Sequence, residues 1–108
     1  MKINKLSEMK GGWFVGNFEP SVFRTENAEV AVKHYKKGDN EKWHYHKIAS
    51  EITVIVNGKV KMNDLVLEAG DVIVLKPSEG TDFFALEDSI TTVVKIPAAL
   101  NDKYFDRE

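Results

Sequence analysis

Between Gly38 and Glu51 the chain reads GDNEKWHYHKIASE, which sets His44 and His46 on either side of Tyr45 and places Glu51 shortly after them. On an extended strand, residues two apart share a face, so both imidazoles project to one side while Trp43 and Tyr45 project to the other. A bend through Ile48, Ala49 and Ser50 would bring the Glu51 carboxylate back beside the rings. Two imidazole nitrogens and one carboxylate oxygen on a rigid sheet suit a divalent first-row metal, because they can occupy one face of its coordination sphere and leave other positions open. Spacing alone also permits two solvated histidines on a half-exposed strand.

The elements that must hold these residues read as strands. From Ala28 onward the segments AEVAVKHY, EITVIVNGKVKM, LVLEAGDVIVLK and SITTVVKI are rich in Val, Ile and Thr and are punctuated by Gly, Asn, Asp or Pro. Short strands at this spacing predict an all-β sandwich or barrel. Asn57-Gly58 predicts a two-residue hairpin between ITVIV and KVKM. A second hairpin or tight corner is expected at Met62-Asn63-Asp64-Leu65, and a further turn at Ala69-Gly70-Asp71. Residues 1–27, with the aromatic stretch WFVGNFEPSVF, predict a short strand and a loop packing on the barrel or on a partner. Residues 98–108 read as a short tail without a clear cap or period.

At 108 residues with 43% hydrophobic content, the chain is expected to form a single domain with one core. Fifteen basic residues against 17 acidic ones, for a net charge of −2, are scattered rather than gathered into a stripe, which speaks against nucleic acid or a membrane surface as partner. The absence of cysteine excludes disulfides, thiolate metal sites and cysteine nucleophiles, so any metal must rest on His and carboxylates. No apolar run near the amino terminus is long enough for a signal peptide or a membrane span, and a cytoplasmic address is expected.

The segment from Gly38 to Gly58 has the form G-x5-H-x-H-x4-E-x6-G. It resembles the first signature motif of the cupin superfamily at every named position, and GDVIVLKPSEGTDF downstream resembles the second. Together they span Gly38 to about Phe83. The resemblance implies a double-stranded β-helix, a small jelly-roll barrel, with His44, His46 and Glu51 as three of the family's metal ligands. The fourth, a histidine in the second motif, has no counterpart. Counted from Pro77 its slot falls on Asp82, and counted from Gly80 on Phe83, because this turn is longer than the family pattern. Asp82 is the expected fourth ligand, since a carboxylate can coordinate and a phenyl ring cannot; the competing reading makes it a turn residue. The implied ion is Mn, Fe or Zn.

Outside the motifs, His34 is expected on the surface. One of Phe83 and Phe84 should face inward and the other outward. Glu29, Lys33 and Lys95 lie on strands and could point into the barrel or away from it; a solvated face is expected, while an inward lysine near the metal would be a candidate for binding an anionic substrate or for acid-base chemistry. The aromatic residues Trp13, Phe14, Phe18 and Phe23 are expected to cover Trp43 and Tyr45, within the chain or across a homodimer. No nucleophile triad, phosphate loop or nucleotide motif is present. The resemblance implies a metal-binding barrel for a small oxygen-rich molecule such as a sugar or organic acid, in a family that includes dioxygenases, isomerases, epimerases and lyases. Non-catalytic binding and metal-free epimerase-like chemistry are the alternatives.

Overall fold

The computed structural model of the protein describes residues 1–106. A 3₁₀ turn at Leu6–Glu8 precedes ten strands: β1 (Trp13–Gly16), β2 (Phe23–Arg24), β3 (Glu29–Tyr35), β4 (Asn40–Tyr45), β5 (Ser50–Asn57), β6 (Lys59–Met62), β7 (Leu65–Glu68), β8 (Val72–Leu75), β9 (Gly80–Ala85) and β10 (Ser89–Ile96). They form a six-stranded sheet in the order β2-β1-β3-β10-β5-β8 and a four-stranded sheet in the order β4-β9-β6-β7. All neighbours are antiparallel except β1 and β2. The two sheets face each other as an all-β jelly roll of the double-stranded β-helix type.

The chain passes repeatedly from one sheet to the other, and this corrects the expected hairpin at Asn57-Gly58. β5 pairs with β10 and β8, whereas β6 pairs with β7 and β9. Asn57-Gly58 is therefore a corner between sheets. A tight two-residue hairpin of the favoured kind needs positive φ at both central residues, and here only Gly58 has it, at 93°. The second expected hairpin is present: Asn63 and Asp64 have φ of 49° and 64°, and they close the Met62–Leu65 pair.

Ile55, Val60, Met62, Phe83 and Ala85 form the buried apolar cluster, with Tyr35, Leu67 and Ile73 packed against it. The Phe83 ring lies 4.3 Å from that of Tyr35, while Phe84 is exposed. This core fills the barrel near the Gly58 corner. The opposite end is polar, and it holds the candidate site.

The tail crosses the barrel as an extended strap. Ala98 N–H donates to Glu26 O at 3.1 Å, and Tyr45 and Tyr104 exchange backbone hydrogen bonds of 2.9 and 3.0 Å. The strap thus covers part of the free edge of β4, where unpaired backbone groups would otherwise face solvent. Its last residues, Arg107 and Glu108, lie outside the described residues. Tyr104, not the amino-terminal aromatics, stacks on Tyr45, with ring centroids 5.6 Å apart. The Trp43 indole lies against Gly80, where any side chain would collide with it.

Candidate metal centre

His44 is the penultimate residue of β4, His46 follows the strand's end, and Glu51 is the second residue of β5. One ligand atom from each lies within 4.8 Å of the others. The bend between them is tied down from a distance. The Asp102 carboxylate, in the tail, accepts the backbone N–H groups of Lys47 at 2.9 Å, Ile48 at 3.1 Å and Ala49 at 2.9 Å. Three peptide donors caught by one carboxylate leave the loop little freedom to turn His46 away from Glu51. Asp102 itself is only 4% exposed.

A backbone carbonyl beside each ring sets its tautomer. His44 Nδ1 lies 2.9 Å from Lys42 O, and His46 Nδ1 contacts Asp102 O. A carbonyl oxygen only accepts, so each Nδ1 carries a hydrogen, and in the neutral ring the lone pair lies on Nε2. His46 Nε2 is fully buried without a hydrogen-bond partner. It is 3.5 Å from Glu51 Oε2, too long for a well-formed hydrogen bond. A buried acceptor left without a donor costs about 1–3 kcal/mol, and a metal ion between Nε2 and the carboxylate would remove that cost. The donor set and its orientation fit such an ion.

Electrostatics agree with ligand chemistry. Burial lowers the pKa of His44 below the ordinary histidine value, against the opposing backbone contact at Lys42, so the ring stays neutral and able to coordinate. Burial pushes the Glu51 carboxyl up, but Lys95 and the two neighbouring imidazoles, in their protonated form, outweigh it and hold the group below the usual glutamate value. Asp102 is likewise pushed up by burial and held down by its backbone donors and by His46.

Asp82 is not brought to this cluster. On β9 the side chains of Thr81 and Phe83 are buried, and alternation sends Asp82 outward. There it is exposed and accepts the Asn63 N–H at 2.9 Å. Thr81 is the residue that pairs with His44 across the strands. His34 is exposed, as expected.

Glu29, Lys33 and Lys95 depart from the solvated face expected of them. Glu29 on β3, Lys95 on β10 and Glu51 on β5 form one cross-strand row on the barrel side. Lys95 Nζ lies 3.9 Å from Glu29, whose residue is only 7% exposed, and Lys33 Nζ lies 3.3 Å from Glu41. Trp13 caps both lysines, with Nζ–centroid distances of 4.8 Å for Lys95 and 5.4 Å for Lys33. Burial lowers the pKa of Lys95 against the pull of Glu51 and Glu29. A cavity of about 280 Å³ opens over His44 and Glu51 and is lined by Trp13, Lys33, Lys95 and the tail residue Lys103. A larger surface hollow of about 910 Å³ beside the amino-terminal turn reaches none of the three donors.

Neither Asp102 nor the inward lysines were marked by a sequence motif. Asp102 acts on peptide groups more than fifty positions away in the chain. The lysines sit on strands whose outward neighbours are mostly aliphatic (Val32, Val94 and Ile96), so they are identified only once the barrel face is known.

No protein-family model matches the sequence, and no curated protein does. Among solved structures, an uncharacterized conserved protein with a double-stranded β-helix domain from Klebsiella pneumoniae is similar over 99% of this chain and 93% of its own, at 21% identity and a TM-score of 0.71. KdgF from Halomonas sp. is similar over 69% of this chain and 74% of its own, at 22% identity and a TM-score of 0.63. Oxalate decarboxylase from Bacillus subtilis, a protein with Mn(II) centres, is similar over 75% of this chain but only 24% of its own length, at 17% identity and a TM-score of 0.63. With a known double-stranded β-helix following it along nearly its whole length, the chain is a small cupin-like β-barrel.

Proposed function

We propose that the protein holds a divalent metal ion through His44, His46 and Glu51 and binds a small organic acid or sugar acid beside it, as a metal-dependent enzyme. The observation that carries this reading is the buried Nε2 of His46, aimed at Glu51 with no hydrogen-bond partner. Two imidazoles and one carboxylate suit Mn, Fe or Zn. The Mn(II) centres of the similarly folded oxalate decarboxylase support a metal in this kind of barrel. Bound there, such an ion would polarise a substrate oxygen as a Lewis acid.

The chain's own residues account for the choice of ligand. The cavity has room for a molecule of a few to about a dozen heavy atoms. Lys33 and Lys95 supply positive charge from one wall, and Lys103 adds to it from the tail. Trp13 keeps both wall lysines partly desolvated, which strengthens their attraction for a carboxylate. Glu29 holds the Lys95 ammonium on the cavity side of β10. Phe83 and Met62 close the barrel beneath the site, so the ligand enters from the Trp13 and Lys103 end.

Elemental analysis of untagged protein, before and after incubation with Mn²⁺, Fe²⁺ or Zn²⁺, tests the proposal. Close to one metal per chain is expected, with His46→Ala and Glu51→Ala failing to retain it. A wild-type protein that stays empty at millimolar metal would remove the metal reading and leave metal-free binding in the same cavity.

A further inference from the structure

The ladder between β4 and β9 slips by one residue beside the site. Glu41 pairs with Phe83 and His44 with Thr81, so three steps along β4 oppose two along β9. Cross-strand partners share a face, and Thr81 and Phe83 are both buried in the barrel. The extra residue therefore turns Glu41 inward beside His44, where unbroken alternation would send it outward with Trp43 and Tyr45. Glu41 lines the cavity over His44 and Glu51 as well as the small hollow beneath them. It is not among the donors close enough together to share an ion. Its carboxylate is held through one oxygen: the Tyr35 hydroxyl donates to Oε2 at 3.0 Å, and the Lys33 ammonium donates to the same atom at 3.3 Å. Packing on Phe83 fixes Tyr35, and Trp13 covers Lys33. Among the described residues, Oε1 makes no hydrogen bond and is left for a ligand.

We infer that Glu41 is a catalytic base, taking a proton through Oε1 from the carbon next to the carbonyl of a bound oxo acid. The inference rests on the metal and organic-acid reading above and adds a reaction class, enolisation. A cation at the three donors would polarise the carbonyl and so acidify the adjacent C–H. The C–H bond breaks, its proton passes to Oε1, and its electron pair moves through the new C=C bond onto the carbonyl oxygen. Return of a proton to the same carbon gives exchange or epimerisation, and neither oxidant nor reductant is consumed. The other carboxylates lining the cavity are occupied: Glu51 is a metal donor, Glu29 faces Lys95, and Glu19 is bound to Arg24. A base must come within hydrogen-bond reach of the proton it takes, and Glu41 alone among these offers the cavity an oxygen on a carboxylate already fixed by two donors.

Deuterium incorporation into pyruvate in heavy water, followed by mass spectrometry with the Zn²⁺-loaded protein, tests the inference. Pyruvate fits the cavity and carries its exchangeable protons next to a carbonyl. Wild type is expected to exchange them faster than the same concentration of free Zn²⁺. Glu41→Gln keeps the shape and one acceptor oxygen but is no base, so it should lose about a hundredfold or more in kcat, with KM little changed and its metal retained. Glu41→Asp keeps a base but draws it back, and an intermediate rate is expected. Circular dichroism verifies folding; if Glu41→Gln is unfolded, Glu41→Asp decides, and an unchanged rate then overturns the inference. Metal-loaded wild type that does not accelerate exchange also overturns it, as does a folded Glu41→Gln that exchanges at the wild-type rate. Metal content of the same samples keeps the two readings apart, since a wild type that holds no zinc overturns the metal centre and this inference with it.

Discussion

At the scale of single residues, Asp102 does two jobs through different atoms. Its carbonyl fixes the tautomer of His46, and its carboxylate gathers the peptide donors of residues 47–49. Removing a buried acceptor that serves charge-assisted bonds leaves those N–H groups without a partner. Asp102→Ala should therefore lower stability by about 2–4 kcal/mol. It should also weaken metal retention by about 10- to 100-fold, because the bend that presents His46 to Glu51 is no longer held. Asp102→Asn keeps one acceptor oxygen and should lose less of both. Urea unfolding and metal titration of the two variants check this; unchanged metal affinity in Asp102→Ala would show that the bend holds His46 without help.

At the scale of elements, the corners between sheets matter more than the hairpins. Gly58 turns the chain out of β5 with φ of 93°, and a Cβ there would run into Asp88 O and Ser89. Gly38 has a nearly identical φ of 94° but open space around it. Comparing the two separates backbone conformation from close approach. Gly38→Ala should cost about 1–2 kcal/mol, the penalty of a left-handed alanine. Gly58→Ala should cost at least about 2 kcal/mol more, because backbone at Asp88 must move. Equal midpoints in urea unfolding would show that the corner does not press on residues 88–89.

At the scale of the whole molecule, stability is tied to the junction between core and site. The Tyr35 ring packs on Phe83 in the core, and its hydroxyl donates to Glu41 Oε2 at 3.0 Å on the site side. Burial, with Glu41 next, pushes the phenol pKa well above its ordinary value of 10.0. A folded pKa raised above the unfolded one gives stability that is complete below about pH 10 and declines as pH rises beyond it. The free energy of unfolding should therefore fall steeply above pH 10, and Tyr35→Phe should flatten that fall while costing about 1 kcal/mol at neutral pH. Parallel profiles for the two proteins would show that the phenol ionises freely in the fold.

The sequence by itself determined the all-β class, because Val-, Ile- and Thr-rich runs of strand length leave little else to form. It also determined the His44, His46 and Glu51 set, because i, i+2 geometry on a strand and a nearby bend are local properties. The Asn63-Asp64 turn was legible for the same reason. The Asn57-Gly58 corner was not, since the same dipeptide serves a hairpin or a crossing, and only the pairing of β5 with β10 and β6 with β9 distinguishes them. Asp82 missed the site because the register of a lengthened turn decides which side of β9 each residue takes, and one position of slip reverses it. Asp102 and the row of Glu29, Lys95 and Glu51 depend on contacts between segments far apart in the chain. Such contacts are set by the packing of two sheets, which no local pattern encodes.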